Sequence, residues 1–273
     1  MKRTCVVVLI VLALLLASCS NNPNDETEFA SVKKEELPLS QNGVAIYGNL
    51  YSLADWDESK QHLIVIMSHS ANVNSDTLDT YAKKSATLGY VVYTFDFPGS
   101  SSSSRSDSVD CTIFTEMDTL RFVIDYFSEQ TFVDGIYLFG TSQGGLVSAV
   151  VANEKDEQLS GLILFYPAFN IPELMTKYPF GIDENYRKQL EEYDVFAHIG
   201  FSKDVLIVHG TKDIMVPCSY SERAAKLYVS CQLELIEGAN HGFNTENYAF
   251  NNNYDDVTWK FVETYLNNHK TLQ

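Results

Sequence analysis

The chain has 273 residues, of which 45% are hydrophobic and 20% are charged. This length fits one large domain or two small ones and needs no disulfide or metal to stabilise a core, and the composition excludes collagen-like, low-complexity and wholly disordered chains. The 19 basic and 36 acidic residues give a net charge of −17 without a cluster of lysine and arginine, so we expect no nucleic-acid partner.

The first residues predict a targeting segment. Lys2 and Arg3 precede the apolar run Val6–Leu16, which is too short to span a bilayer and is typical of a signal peptide. The run continues into Ala-Ser-Cys at Cys19 and then into polar residues, which resembles a bacterial lipobox. In this interpretation Cys19 is diacylated and becomes a membrane-anchored N-terminus. An ordinary secretory signal that contains a cysteine is the alternative.

This interpretation divides the chain into a signal peptide (1–18), a tether (19–28) and one domain (29–273). We expect an exported bacterial lipoprotein, anchored to a membrane at the periplasmic face or the cell surface. Of the five cysteines, Cys5 leaves with the signal peptide and Cys19 takes the lipid. The other three allow one disulfide and one buried thiol, or three buried thiols; they are Cys111, Cys218 and Cys231.

From residue 29 onward, predicted strands alternate with predicted helices. The strands are expected at residues 29–39, 44–53, 63–67, 90–95, 136–139, 159–165, 205–209 and 232–237. The helices are expected at residues 76–88, 114–128, 144–153, 219–228 and 254–267. Unbroken apolar runs such as Leu63–Met67 are typical of strands buried on both faces. The pattern predicts an α/β fold, with a mostly parallel eight-stranded sheet covered by helices on both faces.

A serine between glycines lies where a predicted strand meets a predicted helix. Gly140-Thr141-Ser142-Gln143-Gly144 has the G-x-S-x-G pattern. A tight strand-to-helix turn of this kind needs glycines around the serine, and the helix N-terminus beyond it offers free N–H groups to an oxyanion. The strand before and the helix after make the pattern more specific than the motif alone. Ser142 is therefore the candidate nucleophile.

A serine hydroxyl is a weak nucleophile unless a base accepts its proton. Among the six histidines, His241 lies in a loop just after the last predicted strand, where the functional residues of α/β sheets concentrate. The base in turn needs an acid, and Asp213 follows the strand at 205–209. Its alternative role is that of a turn-forming aspartate. His209 ends that strand and is expected to pack in the core.

From about Asn42 to the C-terminus the chain resembles the α/β-hydrolases, in particular the bacterial feruloyl or cinnamoyl esterase-like and serine aminopeptidase-like branches. The resemblance rests on the chain order of serine, aspartate and histidine and on further motifs, namely Gln143 after the serine, His69 at a strand end, Phe95–Ser100 and Tyr166–Pro172. It implies an α/β-hydrolase fold and a serine hydrolase that cleaves carboxylic esters, and the predicted signal peptide makes this hydrolase an exported one. Ser142, Asp213 and His241 would be catalytic.

The resemblance also implies that the backbone N–H groups of Gln143 and Ala71 bind the oxyanion. The family usually has His-Gly before that second donor, whereas this chain has His69-Ser70, which puts the shape of the loop in question. Residues 168–200, which interrupt the alternation of elements, fall where the family places a cap. Their apolar residues either line an acyl or aromatic pocket or complete the core.

The expected substrate is a small-molecule or carbohydrate-linked ester, and no cofactor or metal is expected because no metal-binding or nucleotide-binding motif is visible. Two other functions stay open. One is a serine peptidase of the aminopeptidase-like branch, and the other is a lipoprotein that binds a ligand without catalysis.

Overall fold

The computed structural model describes residues 29–178, 183–243 and 254–270. The chain divides into two compact units, residues 1–30 and 31–273, and every strand and helix of the described part lies in the second. The predicted signal peptide, the tether and the lipidation at Cys19 lie outside the described residues. No helix within these ranges has both the length and the apolar character that crossing a membrane requires.

The described part contains ten strands and seven α-helices. The strands are β1 (Val32–Glu36), β2 (Leu39–Gln41), β3 (Val44–Ile46), β4 (Gly48–Leu53), β5 (His62–Ser68), β6 (Val91–Phe95), β7 (Val133–Thr141), β8 (Gly161–Phe165), β9 (Asp204–Gly210) and β10 (Ser230–Ile236). The helices are α1 (Asp79–Thr87), α2 (Ile113–Ser128), α3 (Ser142–Glu154), α4 (Ile171–Lys177), α5 (Glu184–Glu192), α6 (Ser219–Ala225) and α7 (Asp255–Lys270).

Eight strands form one sheet in the order β1-β4-β6-β5-β7-β8-β9-β10. The pairs β1–β4 and β4–β6 are antiparallel, and the strands from β6 across to β10 are parallel. The mostly parallel eight-stranded sheet predicted from the sequence is therefore confirmed.

The first two predicted strands are each broken in the structure. Pro38, which has no N–H to give to a ladder, separates β1 from β2. The Tyr47 N–H, between β3 and β4, bonds to the Ser106 hydroxyl at 2.8 Å and not to a strand. The short strands β2 and β3 pair with each other, and Asn42 and Gly43 between them have positive φ angles of 52° and 88°, as a tight two-residue hairpin turn requires.

The core lies on both faces of the sheet because side chains alternate along each strand. Ile64 and Ile66 of β5 belong to a core that includes the apolar sides of α2 and α3, whereas Val65 and Met67 belong to a second core with α1 and α7. The strand is therefore apolar at every position from Leu63 to Met67.

The carboxyl ends of the parallel strands lie at one edge of the sheet. There Ser68 of β5 pairs with Gly140 of β7, and Ile236 of β10 pairs with Gly210 of β9. The loops that follow these four strands carry the sequence-predicted site residues of the described part, so the topology brings them to the same edge.

The segment 168–200 contains α4, α5 and a single 3₁₀ turn at Val195–Ala197 within its described residues. Phe169 and Ile171 are buried in the core, while Leu174 and Tyr178 on the same segment are exposed. The segment thus contributes apolar side chains to both the core and the surface.

Candidate active site

Ser142 lies at the turn from β7 into α3 and has a φ of 51°, in the left-handed region that costs a residue with a side chain about 1–3 kcal/mol. The turn fits because its neighbours are glycines. A Cβ on Gly144 would lie 2.4 Å from the carbonyl oxygens of Ser68 and His69, and one on Gly140 would lie 2.5 Å from the Gly144 carbonyl oxygen. The G-x-S-x-G pattern is thus required by close backbone contacts on both sides of the serine.

Ser142, His241 and Asp213 form one hydrogen-bonded chain. Ser142 Oγ lies 3.0 Å from Nε2 of His241, and His241 Nδ1 lies 2.7 Å from Oδ2 of Asp213. The serine follows β7, the aspartate follows β9 and the histidine follows β10, so three separate strand ends supply the chain. The structure brings together the three residues that the sequence singled out.

The Asp213 carboxylate is buried and accepts bonds on both oxygens. Oδ1 accepts from the backbone N–H groups of Met215 and Val216 at 2.9 and 2.8 Å. Oδ2 accepts from His241 and lies 3.1 Å from Nε2 of His209. Burial by itself raises the pKa of Asp213, but the bonds from His209, His241 and Val216 outweigh it and hold the pKa well below its usual range. The carboxylate is therefore ionised at neutral pH.

The ionised carboxylate determines the tautomer of His241. A carboxylate without a proton can only accept, so His241 Nδ1 carries the proton and donates it to Asp213. Nε2 then carries the lone pair that accepts from the Ser142 hydroxyl. The ring of Tyr166 lies edge-on against the imidazole, with centroids 4.7 Å apart, and restricts its movement from one side. The geometry matches a base prepared to accept the serine proton.

His209, expected from the sequence to pack in the core, is fully buried and also contacts the site. Its Nε2 lies between two acceptors, Asp213 Oδ2 at 3.1 Å and the Val216 carbonyl oxygen at 2.9 Å, so Nε2 carries the proton. Its Nδ1 then accepts from the Ser221 hydroxyl at 2.7 Å. The spacing of four residues to Asp213 across a strand end is the one sequence signal that could have indicated this contact.

His69 fixes the loop after β5. The Phe97 N–H donates to its Nε2 at 3.0 Å, so the proton is on Nδ1, which donates to the Ser70 carbonyl oxygen at 2.7 Å. Burial lowers the pKa of His69, although the bond to Ser70 opposes this shift, and the neutral ring suits both contacts. His69 therefore joins the loop that carries Ala71 to the loop after β6.

Ser70 stands where the family usually has glycine, and the structure shows how the loop accommodates it. The left-handed residue of this loop is Asn72, with a φ of 59°, and asparagine tolerates that conformation better than most residues. The Ser70 hydroxyl bonds to the Thr141 hydroxyl at 2.9 Å, next to the candidate nucleophile. Ala71 is partly exposed between Ser70 and Asn72. Its role as an oxyanion donor stays a prediction.

The N–H of Gln143 belongs to the first turn of α3, where backbone N–H groups have no partner within the helix. This position suits a donor to an oxyanion formed at Ser142, and the assignment likewise stays a prediction. Its side chain contacts Glu116, a residue of the predicted helix at 114–128 that belongs to no sequence motif.

An ion pair between a buried aspartate and a partly exposed arginine supports the loops beside the site. Both oxygens of the fully buried Asp96 carboxylate accept from the Arg105 side chain at 3.0 Å, and one also accepts from the Ser75 hydroxyl at 2.7 Å. Burial raises the pKa of Asp96, but the Arg105 bonds outweigh it and lower the pKa overall. The Arg105 guanidinium also lies 4.0 Å from the centroid of the Tyr47 ring. The serine run at residues 100–104 therefore lies between Asp96 and Arg105, which this ion pair holds together.

Within residues 29–178, 183–243 and 254–270, no group of three or more histidine, cysteine, aspartate or glutamate side chains is arranged to hold a metal ion. Cys111, Cys218 and Cys231 are free thiols. The sequence left open one disulfide with one buried thiol, or three buried thiols; the structure has no disulfide among these three cysteines, and each thiol is only partly buried.

A family model described as serine aminopeptidase, S33, matches residues 59–195, about half of the chain. The chain belongs to this family. The match contains Ser142 and the segment from β5 to beyond α5, whereas Asp213 and His241 lie outside it. In a comparison with curated protein sequences, none matches this chain.

Solved structures of other members of the α/β-hydrolase superfamily have the same fold. Est1E from Butyrivibrio proteoclasticus, solved with ferulic acid bound, is 23% identical with a TM-score of 0.73 and covers 86% of this chain and 99% of its own. Esterase 2 from Thermogutta terrifontis, phosphorylated by paraoxon, is 19% identical with a TM-score of 0.65 and covers 85% and 93%. A monoacylglycerol lipase from Paleococcus ferrophilus is 17% identical with a TM-score of 0.61 and covers 82% and 99%. The predicted α/β-hydrolase fold is confirmed.

Proposed function

We propose that this α/β-hydrolase is a serine hydrolase that cleaves carboxylic esters through an acyl-enzyme. The observation that carries the proposal is the hydrogen-bonded chain from Ser142 through His241 to Asp213, with contacts of 3.0 and 2.7 Å. A serine in a strained left-handed turn, a base in the required tautomer and an ionised acid are the three parts that nucleophilic acyl transfer needs.

In the first half of the reaction, Ser142 Oγ attacks the ester carbonyl carbon while His241 Nε2 takes the hydroxyl proton. The carbonyl oxygen becomes an oxyanion, which the N–H groups of Gln143 and Ala71 stabilise. Asp213 stabilises the imidazolium that forms. His241 then gives the proton to the leaving alcohol, and the carbon–oxygen bond breaks to leave an acyl group on Ser142.

In the second half, water replaces the alcohol. His241 takes a proton from the water, and the resulting nucleophile attacks the acyl carbonyl. The tetrahedral intermediate collapses with return of the proton to Ser142, which releases the carboxylic acid and restores the hydroxyl.

A small-molecule or carbohydrate-linked ester is the proposed substrate. Ferulic acid bound to Est1E supports a small aromatic or acyl group as the acid part of the ester. The exposed apolar side chains of Ile214 and Met215, which directly follow Asp213, favour the same class. The net charge of −17 disfavours strongly anionic polymers.

The name of the family favours a second candidate, a serine peptidase that acts on aminoacyl amides. The same three residues would serve both reactions, so the difference lies in the leaving group and in whether a free amine is bound. A panel that includes aminoacyl p-nitroanilides beside acetyl, feruloyl and longer acyl esters distinguishes the two.

We further propose that the protein is exported and anchored to a membrane through a lipid on Cys19. The apolar run before this cysteine and the polar residues after it support this proposal.

The test of the catalytic proposal is intact-mass analysis of the folded domain after reaction with a fluorophosphonate, beside Ser142→Ala. We expect one adduct on the wild type and none on the variant, together with loss of nearly all ester turnover in the variant. A folded wild type that forms no adduct and hydrolyses no ester of the panel would overturn the proposal and favour a ligand-binding protein.

A further inference from the structure

Glu116 is a buried acidic residue that contacts the residue next to the candidate nucleophile. It lies in the first turn of α2 and is 2% exposed. The Gln143 side-chain Nε2 donates to both of its oxygens, at 2.9 Å to Oε1 and 2.8 Å to Oε2. Gln143 directly follows Ser142, so a carboxyl group on one helix holds the side chain of the residue next to the nucleophile on another.

The environment of Glu116 is unusual for a carboxyl group. Besides Gln143, its donor is the Cys111 thiol, with Sγ 3.4 Å from Oε1, and it has no ion pair with a basic residue of the described part. Burial raises its pKa to about 7, although the bonds from Gln143 and Cys111 lower it. A buried carboxyl group without a cationic partner destabilises the folded state. Its presence in Glu116 therefore points to a role in function.

The position of Gln143 explains what that role is. Ser142 has a strained φ of 51°, and such conformations persist only where surrounding contacts hold them. The Gln143 side chain is a direct link from this turn to α2. The Gln143 N–H is the predicted oxyanion donor, and a small error in the placing of such a donor lowers transition-state stabilisation.

We propose that Glu116 is a positioning residue, which holds the Gln143 side chain and thereby places the Gln143 N–H against the oxyanion. This inference rests on the proposed ester hydrolysis at Ser142. It assigns no contact between Glu116 and the substrate. Its consequence is that loss of Glu116 lowers turnover more than substrate binding.

The test compares Glu116→Ala, Glu116→Gln, Gln143→Ala and the double alanine variant. The kcat and KM for p-nitrophenyl acetate are measured per active site, with sites counted by fluorophosphonate labelling. We expect Glu116→Ala to lower kcat about tenfold or more with KM within about threefold. Glu116→Gln keeps an oxygen acceptor for the Gln143 amide and should stay within about threefold of wild type. The double variant should lose no more than Gln143→Ala alone, because both changes remove the same bond.

The matched control is Asp125→Ala. Asp125 is also on α2 and accepts from Lys155 and Gln158 just beyond the other end of α3, at 2.6 and 3.1 Å. It should leave kcat within about twofold of wild type, since it removes an acidic contact of α2 far from Ser142.

Equal kcat values for wild type and Glu116→Ala, or additive losses in the double variant, would overturn the inference while the proposed function stands. A wild type that neither hydrolyses esters nor takes the label overturns the proposed function and this inference with it. If Glu116→Ala does not fold, Gln143→Ala tests the same hydrogen bond, because it removes the donor, which is less buried than Glu116. Its kcat must then fall about tenfold.

Discussion

Replacing Glu116 with glutamine should remove a pH-dependent loss of stability from the protein. The carboxyl group is almost fully buried, and its pKa rises from an ordinary 4.5 to about 7 because burial disfavours the charged form. Each tenfold change in proton affinity is worth about 1.4 kcal/mol, so ionising Glu116 in the folded protein costs about 3 kcal/mol more than in the unfolded chain.

The direction of this pH dependence of stability follows from which state, folded or unfolded, binds the proton more tightly. The folded state has the higher pKa, so the stabilisation from the bound proton is fully present below the unfolded pKa and is lost as the pH rises through about 7. Glu116→Gln cannot ionise and lacks this loss. The free energy of unfolding of the variant minus that of the wild type should therefore increase by about 3 kcal/mol between about pH 4.5 and about pH 8.5.

Urea denaturation of both proteins at several pH values across this range measures the difference directly, and the titration of all other groups cancels between them. Asp125→Asn is the control on the same helix. Burial raises the pKa of Asp125, but its bonds with Lys155 and Gln158 outweigh that and lower it, so its contribution is lost as the pH falls. The control should show a small dependence of opposite sign. A difference between Glu116→Gln and wild type that stays constant with pH would refute the reasoning.

Three other changes test the site and the anchor. Asp213→Asn should lower kcat about 10³- to 10⁴-fold in ester hydrolysis at unchanged circular dichroism, because the amide favours the wrong tautomer of the base; near-normal kinetics would mean that another acid serves. His209→Gln should cost only about tenfold in the same assay, since the N–H groups of Met215 and Val216 still hold Asp213, and a loss equal to that of Asp213→Asn would contradict this ranking. Cys19→Ser, expressed as the full chain and followed by fractionation and immunoblotting, should move the protein from the membrane fraction to the soluble one; persistence in the membrane would argue against lipidation.

The sheet could be predicted from local sequence because its strands carry their own signal. A strand buried on both faces is built from a run of apolar residues, which is why Leu63–Met67 and Leu162–Phe165, the apolar end of the strand predicted at 159–165, indicate parallel strands. The same reasoning failed at residues 29–53. Alternation there predicted two long strands, but Pro38 and the bond from the Tyr47 N–H divide the segment into four.

The position of the candidate site was predictable for a topological reason. Parallel strands place their carboxyl ends at one edge, so Ser142, Asp213 and His241 had to lie near one another once each was assigned to the end of a strand. The hydrogen bonds among them are present in the structure, while their catalytic roles and those of Gln143 and Ala71 stay predictions for the experiments above.

What the sequence by itself determined is the class of sheet, the glycine-flanked serine turn and the convergence of three residues at one edge, because these depend on residue type and order along the chain. What only the tertiary structure decided is which side chains meet across elements. Glu116 against Gln143 and Arg105 around Asp96 join segments that are 27 and 9 residues apart, and no local periodicity encodes such contacts. They arise from the packing of helices and loops against the finished sheet, where burial changes the proton affinity of each group that it encloses.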